Sequence, residues 1–260
     1  MSRYFRVWLI LSSASFQSFF VSKFGAALFL LGKILRFIFF ALFLIYLLQK
    51  TKVLAGYDLW QVILFYLTFN FIDSLTQMLF REVYRFRQYI ISGNFDLILI
   101  KPVNSLFRSL FGWTDLLDFI TLVPFIFIIG FVINKIPGIT LIGVLFYILL
   151  VANALVIATS FHIMVLSLAI LTTEIDHAIM IYRDFTGMGK IPVGIYSEPL
   201  RSFITFIIPV GIMMSFPVEK LLGRLTVESM VWAFAISLFL FSGSILFWRY
   251  SIRCYTSASN

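Results

Sequence analysis

A chain of 260 residues that is 61% apolar and only 12% charged, with a mean hydropathy of +1.02, has too much apolar surface to fold in water. An ordinary soluble domain is about 45–50% apolar and about 25% charged. A cytosolic enzyme, a secreted domain and a disordered chain are therefore excluded, and the bilayer is the solvent that fits. The net charge of +8 and the isoelectric point of about 9.7 come from Lys and Arg that flank apolar runs rather than gather on one face. That is the positive-inside pattern of a membrane protein, and it argues against a nucleic-acid partner.

A bilayer core about 30 Å thick takes about 20 helical residues per crossing. The first element, residues 1–24, reads as a helix lying in the membrane interface: Tyr4, Phe5, Trp8 and Leu9 face lipid, and Arg3 and Arg6 face headgroups. Its apolar run, Val7 to Leu11, is too short for a signal peptide. Spans are predicted over 31–48, with Lys33 and Arg36 snorkelling at its start, over 59–80, and over 114–134, entered past Asp115 and Asp118. The turn Asn134 to Gly138 leads into a fourth span starting near 139, and the last covers 228–248. Residues 136–173 carry no charge, and no Gly or Pro follows Gly143, so a helix of about 34 residues, about 51 Å long, must tilt, protrude or bend.

Basic residues set the orientation. Arg3, Arg6, Lys23, Lys33 and Arg36 at the start, Arg81, Arg85, Arg87, Lys101 and Arg108 after span two, and Arg249 and Arg253 in the tail fall on one side. Lys50, Lys52, Lys135, Lys220 and Arg224 fall on the other, and twelve against five puts both termini in the cytoplasm with an even number of spans. The fifth span has two placements. Either 202–218 crosses and 172–201 is a cytoplasmic loop, or the polar segment 172–191 crosses and 199–218 is a re-entrant hairpin broken by Pro209 and Pro217. Hydropathy favours the first. Proline-broken backbone is tolerated at membrane depth where protein or a water cavity satisfies it, which allows the second.

Motifs narrow the function. The loop 81–112 contains the turn Gly93-Asn94 and the stop Lys101-Pro102, with a short apolar stretch between. This is a return loop or a short helix that docks on a cytoplasmic partner. Asp73 lies about two turns inside span two, and intramembrane ionisable groups usually face a cavity or a partner. On a helix, Thr173, Asp176, His177, Met180, Arg183, Asp184 and Gly187 share one side of the 174–190 segment, a pathway face if it spans and an ordinary amphipathic surface if it does not. Asp115 and Asp118 read as a solvated helix start, and His162 as a helix residue with a hydrogen-bonded partner. Most of the 32 Phe face lipid or pack inside. Among chemical motifs, the nearest approach to a phosphate-binding loop is Thr186 to Ile191, which lacks the first Gly and the final Ser/Thr. There is no clustered His/Cys metal set and no compact catalytic group, so neither ATP binding nor enzyme chemistry is expected of this chain.

The segment Gly93-x-x-Asp96-Leu97-x-Leu99-x-Lys101-Pro102-x-Asn104 resembles one found after span two in membrane subunits of type-2 exporter-class ABC transporters, in the bacterial subgroup with six spans and no fused ATPase. A second signature follows late in the chain: Ile191-Pro192, Tyr196-x-x-Pro199-Leu200-Arg201, Ile208-Pro209, Phe216-Pro217 and Leu221-Leu222-Gly223. The chain departs from that pattern in the charges of Thr172 to Lys190 and in Pro209-Val210, where Pro-Phe is common.

The resemblance implies an all-α integral membrane protein, one permease domain over 1–260 with six transmembrane helices. It adds an interfacial elbow helix, a cytoplasmic coupling helix between spans two and three, and re-entrant outer helices around Pro192, Pro199, Pro209 and Pro217. It favours the second placement of span five. Its implied coupling residues are Glu82, Arg85, Gly93, Asp96, Leu97, Lys101, Pro102 and Asn104, gripped by separate ABC ATPase subunits that carry ATP and Mg. The pathway expected between two permease copies, identical or paralogous, draws on Asp73, Glu174, Asp176, His177, Arg183 and Asp184. The location implied is the prokaryotic inner membrane, in contact with its lipids. The rival reading is an ion- or proton-coupled carrier that uses Asp73, Glu174, Asp176 and Asp184 as relay groups; it lacks the internal repeat many such carriers show.

Overall fold

The computed structural model describes residues 3–19, 23–172 and 175–256, and these are helical, with no strand among them beyond an isolated bridge between Leu54 and Tyr57. Helix α1, Arg3–Phe19, precedes α2, Lys23–Thr51, and α3, Leu59–Phe80. A tight 3-10 turn, Arg81–Arg85, then leads through three short helices: α4, Phe86–Ile91, α5, Asn94–Leu99, and α6, Ser105–Phe111. Two long apolar helices follow, α7, Leu116–Ile133, and α8, Leu141–Thr172. The chain continues as α9, Ile175–Gly187, a broken stretch starting with α10, Leu200–Ser202, then α11, Phe216–Leu221, and α12, Val227–Arg253.

Five of these helices are long and apolar enough to cross a membrane, and a sixth is reached if the bent pair Leu200–Ile207 and Gly211–Leu221 is taken as one span. The helix starts are set by local chemistry. Asp58 caps α3 in a capping box, its side chain accepting from Gln61 N–H (3.0 Å) while the Gln61 side chain accepts from Asp58 N–H (3.3 Å). Thr226 caps α12 by accepting from Ser229 N–H at 3.2 Å. Span one begins eight residues earlier than hydropathy placed it, so Lys33 and Arg36 lie inside α2 and not at its start.

Helix α3 is the centre of the bundle, and its apolar residues face neighbours on nearly every side. The Tyr66 hydroxyl donates to the Phe37 carbonyl of α2 (3.2 Å), and Thr68 shares a hydrogen bond with Tyr147 of α8 (3.0 Å). Helices α8 and α12 run together, joined by Ser237 Oγ donating to Asn153 Oδ1 at 2.5 Å. A polar bond of this kind joins helices where lipid gives no hydrophobic drive for association. Helix α2, by contrast, buries only Leu44 and Leu48 fully and leaves most of its length bare. His162 lies in the core with Nδ1 at 2.8 Å from the Ala158 carbonyl, between the rings of Phe80 and Tyr182.

The two placements of the fifth span concern the segment after α8. Asp176 pairs with Arg87 beyond the C-terminal end of α3, and Lys190 lies over Phe69 near its middle. Gly194 lines one pocket with Ala55 beside the other end. Residues 175–195 therefore run the length of α3. The bent pair behaves differently: its two arms meet at 78°. The turn residue Val210 and Met214 sit against Gly189, while Glu198, Arg201, Glu219 and Arg224 line one pocket with Ala55 and Tyr57. Both arms thus return to the same end of the bundle. Pro209 sits at the bend, its carbonyl accepting from Met213 N–H, and Pro217 opens α11. Pro192 starts a short 3-10 turn, and Pro199 follows Glu198. The Ser202 hydroxyl donates to the Glu198 carboxylate at 2.6 Å and, with the Ser202 N–H and Arg201, holds it below the usual carboxylate range. Arg224 closes this end, stacking on Tyr57 (4.1 Å) and donating to the Gly56 carbonyl (3.0 Å).

Candidate functional site

Besides the pocket of Glu198, Arg201, Glu219 and Arg224, two regions of the described residues concentrate charged side chains. The first is the loop 81–112, which folds into a compact finger. Helix α4 ends at Ser92, and Gly93 adopts φ +71°, a left-handed conformation that a residue with a Cβ enters at a cost. That turn sends α5 back along α4, and Asn94 Nδ2 donates to Ser92 Oγ at 2.8 Å. The inner face of the finger is aromatic. Phe86 and Phe95 meet edge to face at 5.1 Å, both approach Trp248 of α12, and Phe95 also meets Tyr255. Burial, with Asp96 beside it, pushes the Tyr255 hydroxyl up to about 12. The outer face is different in kind: Leu97 and Ile100 are apolar yet 53% and 78% exposed.

The return strand of the loop is anchored along its length. The Lys101-Pro102 stop ends α5, and the Pro102 carbonyl accepts from Arg3 of α1 at 2.5 Å. Asn104 caps α6 by accepting from Phe107 N–H at 3.1 Å. Tyr4 of α1 packs on Phe107, and Ser12 shares a hydrogen bond with Thr114 (2.7 Å), so one face of α1 meets protein where the sequence suggested lipid. Arg85 stacks on Trp113 at 4.1 Å. Glu82, 1% exposed, accepts from Arg108 at 2.5 Å and ties the base of the finger to α6. Gly112 leaves the room for this pair; a Cβ there would fall on Arg108 Nη1 and lie 2.5 Å from Glu82 Oε1.

The second region is a cleft of about 590 Å³ between α2, α3, α7 and α9, lined by Lys33, Arg36, Asp73, Gln77, Arg81, Asp115, Asp118 and Arg183, with Leu28 and Phe29 at its apolar edge. Past Asp73 it narrows to a cavity of about 90 Å³ bounded by Phe40, Tyr66, Phe69, Asn70, Thr186 and Lys190. Two ion pairs hold its wall: Lys33 with Asp118, and Arg81 with Asp115 at 3.3 Å. Asp115 also caps α7 by accepting from Leu117 N–H (2.9 Å), as expected of an acid at a helix start. Asp118 is not solvated as its position suggested. It is buried and paired with Lys33, which lies about three turns inside α2.

A family model described as ABC-2 family transporter protein matches residues 33–259. The chain belongs to the ABC-2 transporter family. No curated protein and no solved structure gives a match. The ABC-2 match spans both the finger and the cleft, and it makes this chain the membrane component of a transporter, a multi-pass permease.

The pathway candidates do not all meet in this ABC-2 chain. Asp73 and Arg183 line the cleft together. Asp176 turns away to pair with Arg87 of the finger at 2.7 Å, and His177 and Asp184 are exposed outside the cleft lining. Glu174, with Thr173, lies outside the described residues. Sequence reasoning missed the convergence of Lys33, Arg36 and Lys190 on the cleft. The available signal was the basic pair one turn apart within an otherwise apolar stretch, where a snorkelling reading was the simpler one.

Proposed function

We propose that this chain is the transmembrane subunit of an ATP-driven ABC exporter, working as a dimer of permeases with separate ATPase subunits that carry ATP and Mg. The observation that supports this reading best is the two-sidedness of the finger. Phe86, Phe95 and Ile98 anchor it to the helix ends, while Leu97 and Ile100 leave an apolar knob uncovered at its tip. Exposed apolar residues on a rigid projection are what a docking surface needs. In this reading the finger is the coupling helix, and Glu82, Arg85, Gly93, Asp96, Leu97, Lys101, Pro102 and Asn104 transmit force from the ATPase. The helix α1 is the elbow helix, residues 175–195 make the fifth crossing, and the bent pair is re-entrant from the outer side. Both termini are cytoplasmic in the inner membrane of a prokaryote, the whole chain forms one permease domain, and the cleft is part of the substrate pathway. ABC-2 membership favours this over a gradient-driven carrier.

The test is co-expression with the neighbouring ATPase and purification through a tag on the permease. A stable, hydrolysing complex is expected, and Leu97→Cys in a Cys254→Ser background should cross-link to the ATPase. Glu82→Gln and Asp96→Asn should insert normally yet uncouple hydrolysis from transport. Normal coupling in both variants would remove the finger from the mechanism. A permease that always purifies alone would return the carrier reading.

A further inference from the structure

The cleft holds more positive charge than its own acids balance. Lys33 is matched by Asp118 and Arg81 by Asp115. Arg36 of α2, Arg183 of α9 and Lys190 of the turn after α9 remain, and they line the cavity around a single carboxylate, Asp73. Among the described residues, none of the ion pairs involves any of these four groups. Lys190 instead lies 5.9 Å from the rings of both Phe40 and Phe69, and Arg36 lies 5.1 Å from Phe37. Aromatic faces attract a cation but do not neutralise it. Uncompensated charge at membrane depth is costly and is kept where it faces a cavity or a partner.

We propose that the cleft binds an anionic amphiphile. Its carboxylate, sulfate or phosphate head sits among Arg36, Arg183 and Lys190, and its apolar body lies along Leu28 and Phe29. Guanidinium groups suit such heads because their planar N–H pairs match oxyanion geometry. The cleft, about 590 Å³, lies within the range of small-molecule sites, roughly 300–1,000 Å³. Asp73 competes with the ligand for the same cations, which weakens binding and allows release. The assignment names the substrate class of the proposed transporter and rests on that reading.

The permease, with its ATPase, is placed in phosphatidylcholine nanodiscs and titrated with 11-(dansylamino)undecanoic acid, its methyl ester and the corresponding amine. The acid should bind with a blue-shifted emission, and the ester and amine at least about tenfold more weakly. Arg36→Gln, at an exposed position that folding tolerates, and Lys190→Gln should each weaken the acid about three- to tenfold and leave the ester unchanged. Asp73→Asn should tighten it, a change of opposite sign that a structural defect does not produce. Competition by inorganic phosphate would support the anion site and identify a free anion as sufficient. Competition by phosphatidylglycerol added to the nanodiscs would support it and identify a lipid headgroup as the source. Equal affinity for acid and ester, or acid binding indifferent to Arg36→Gln, would overturn the substrate class even where the ATPase complex hydrolyses ATP normally. Selective acid binding by a chain that never engages an ATPase would keep the site and discard the exporter.

Discussion

The finger and the cleft use the same residue types in opposite ways. In the finger each buried charge has one partner and no spare room: Glu82 with Arg108, with Gly112 pressed against both. In the cleft two pairs form the wall and three cations share one acid across an open volume. One acid matched to one cation makes a joint that holds its shape, whereas an excess of cations leaves charge for something else to satisfy. The difference is one of geometry and not of composition, since each region draws on Arg, Asp or Glu and aromatic rings.

The comparison breaks most sharply at Glu82. Glu82→Ala leaves Arg108 facing a dry interface and should cost about 3 kcal/mol, seen as a lower melting temperature and new protease cleavage within 81–112. Next is the cleft wall. Lys33→Met strands buried Asp118 and should cost about 2 kcal/mol, while Lys33→Met with Asp118→Leu should regain most of that loss. A double variant as unstable as the single one would mean the pair does more than balance charge. Gly112→Ala should cost about 1–2 kcal/mol, because the Arg108 head can move only by leaving Glu82, and the Arg108 backbone carbonyl, 2.6 Å from the added Cβ, must shift with the end of α6. A thermal melt indistinguishable from the parent would show that the finger has slack. Smallest is Asp176→Asn: both its carboxylate and Arg87 are largely exposed, so less than about 1 kcal/mol is expected, and less still at high salt.

The long helices were legible because their signals are local. The starts expected for 59–80 and 228–248 fall within a residue of α3 and α12, and apolar runs of more than 18 residues have no soluble alternative. The finger was legible as a turn and a stop, Gly93-Asn94 and Lys101-Pro102. Its packing was not, since Phe95 meets Trp248 across most of the chain. Charge partners were the least legible. Lys33 and Asp118 are 85 residues apart, and nothing near either one names the other. Gly112 is legible only as a helix stop after α6; its second role exists because Arg108 and Glu82 converge there. Span five stayed open because hydropathy measures preference for lipid. Residues 175–195 are polar where they face the cleft, and their course beside α3 is fixed by tertiary contacts with Arg87 and Phe69.

Helix α8 is 32 residues long, roughly 48 Å at 1.5 Å per residue, and so exceeds the hydrocarbon core of about 30 Å by more than half. Near its beginning it packs against α11, where a Cβ on Gly143 would meet Leu221, and near its end Leu166 and Ile170 join Val83 and Phe86 of the finger in one cluster. A single uninterrupted rod therefore touches both mouths of the protein. Tilting such a rod by about 10° sweeps one tip roughly 8 Å past the other. A displacement at one end of such a rod is carried to the other with no relay of intermediate parts required.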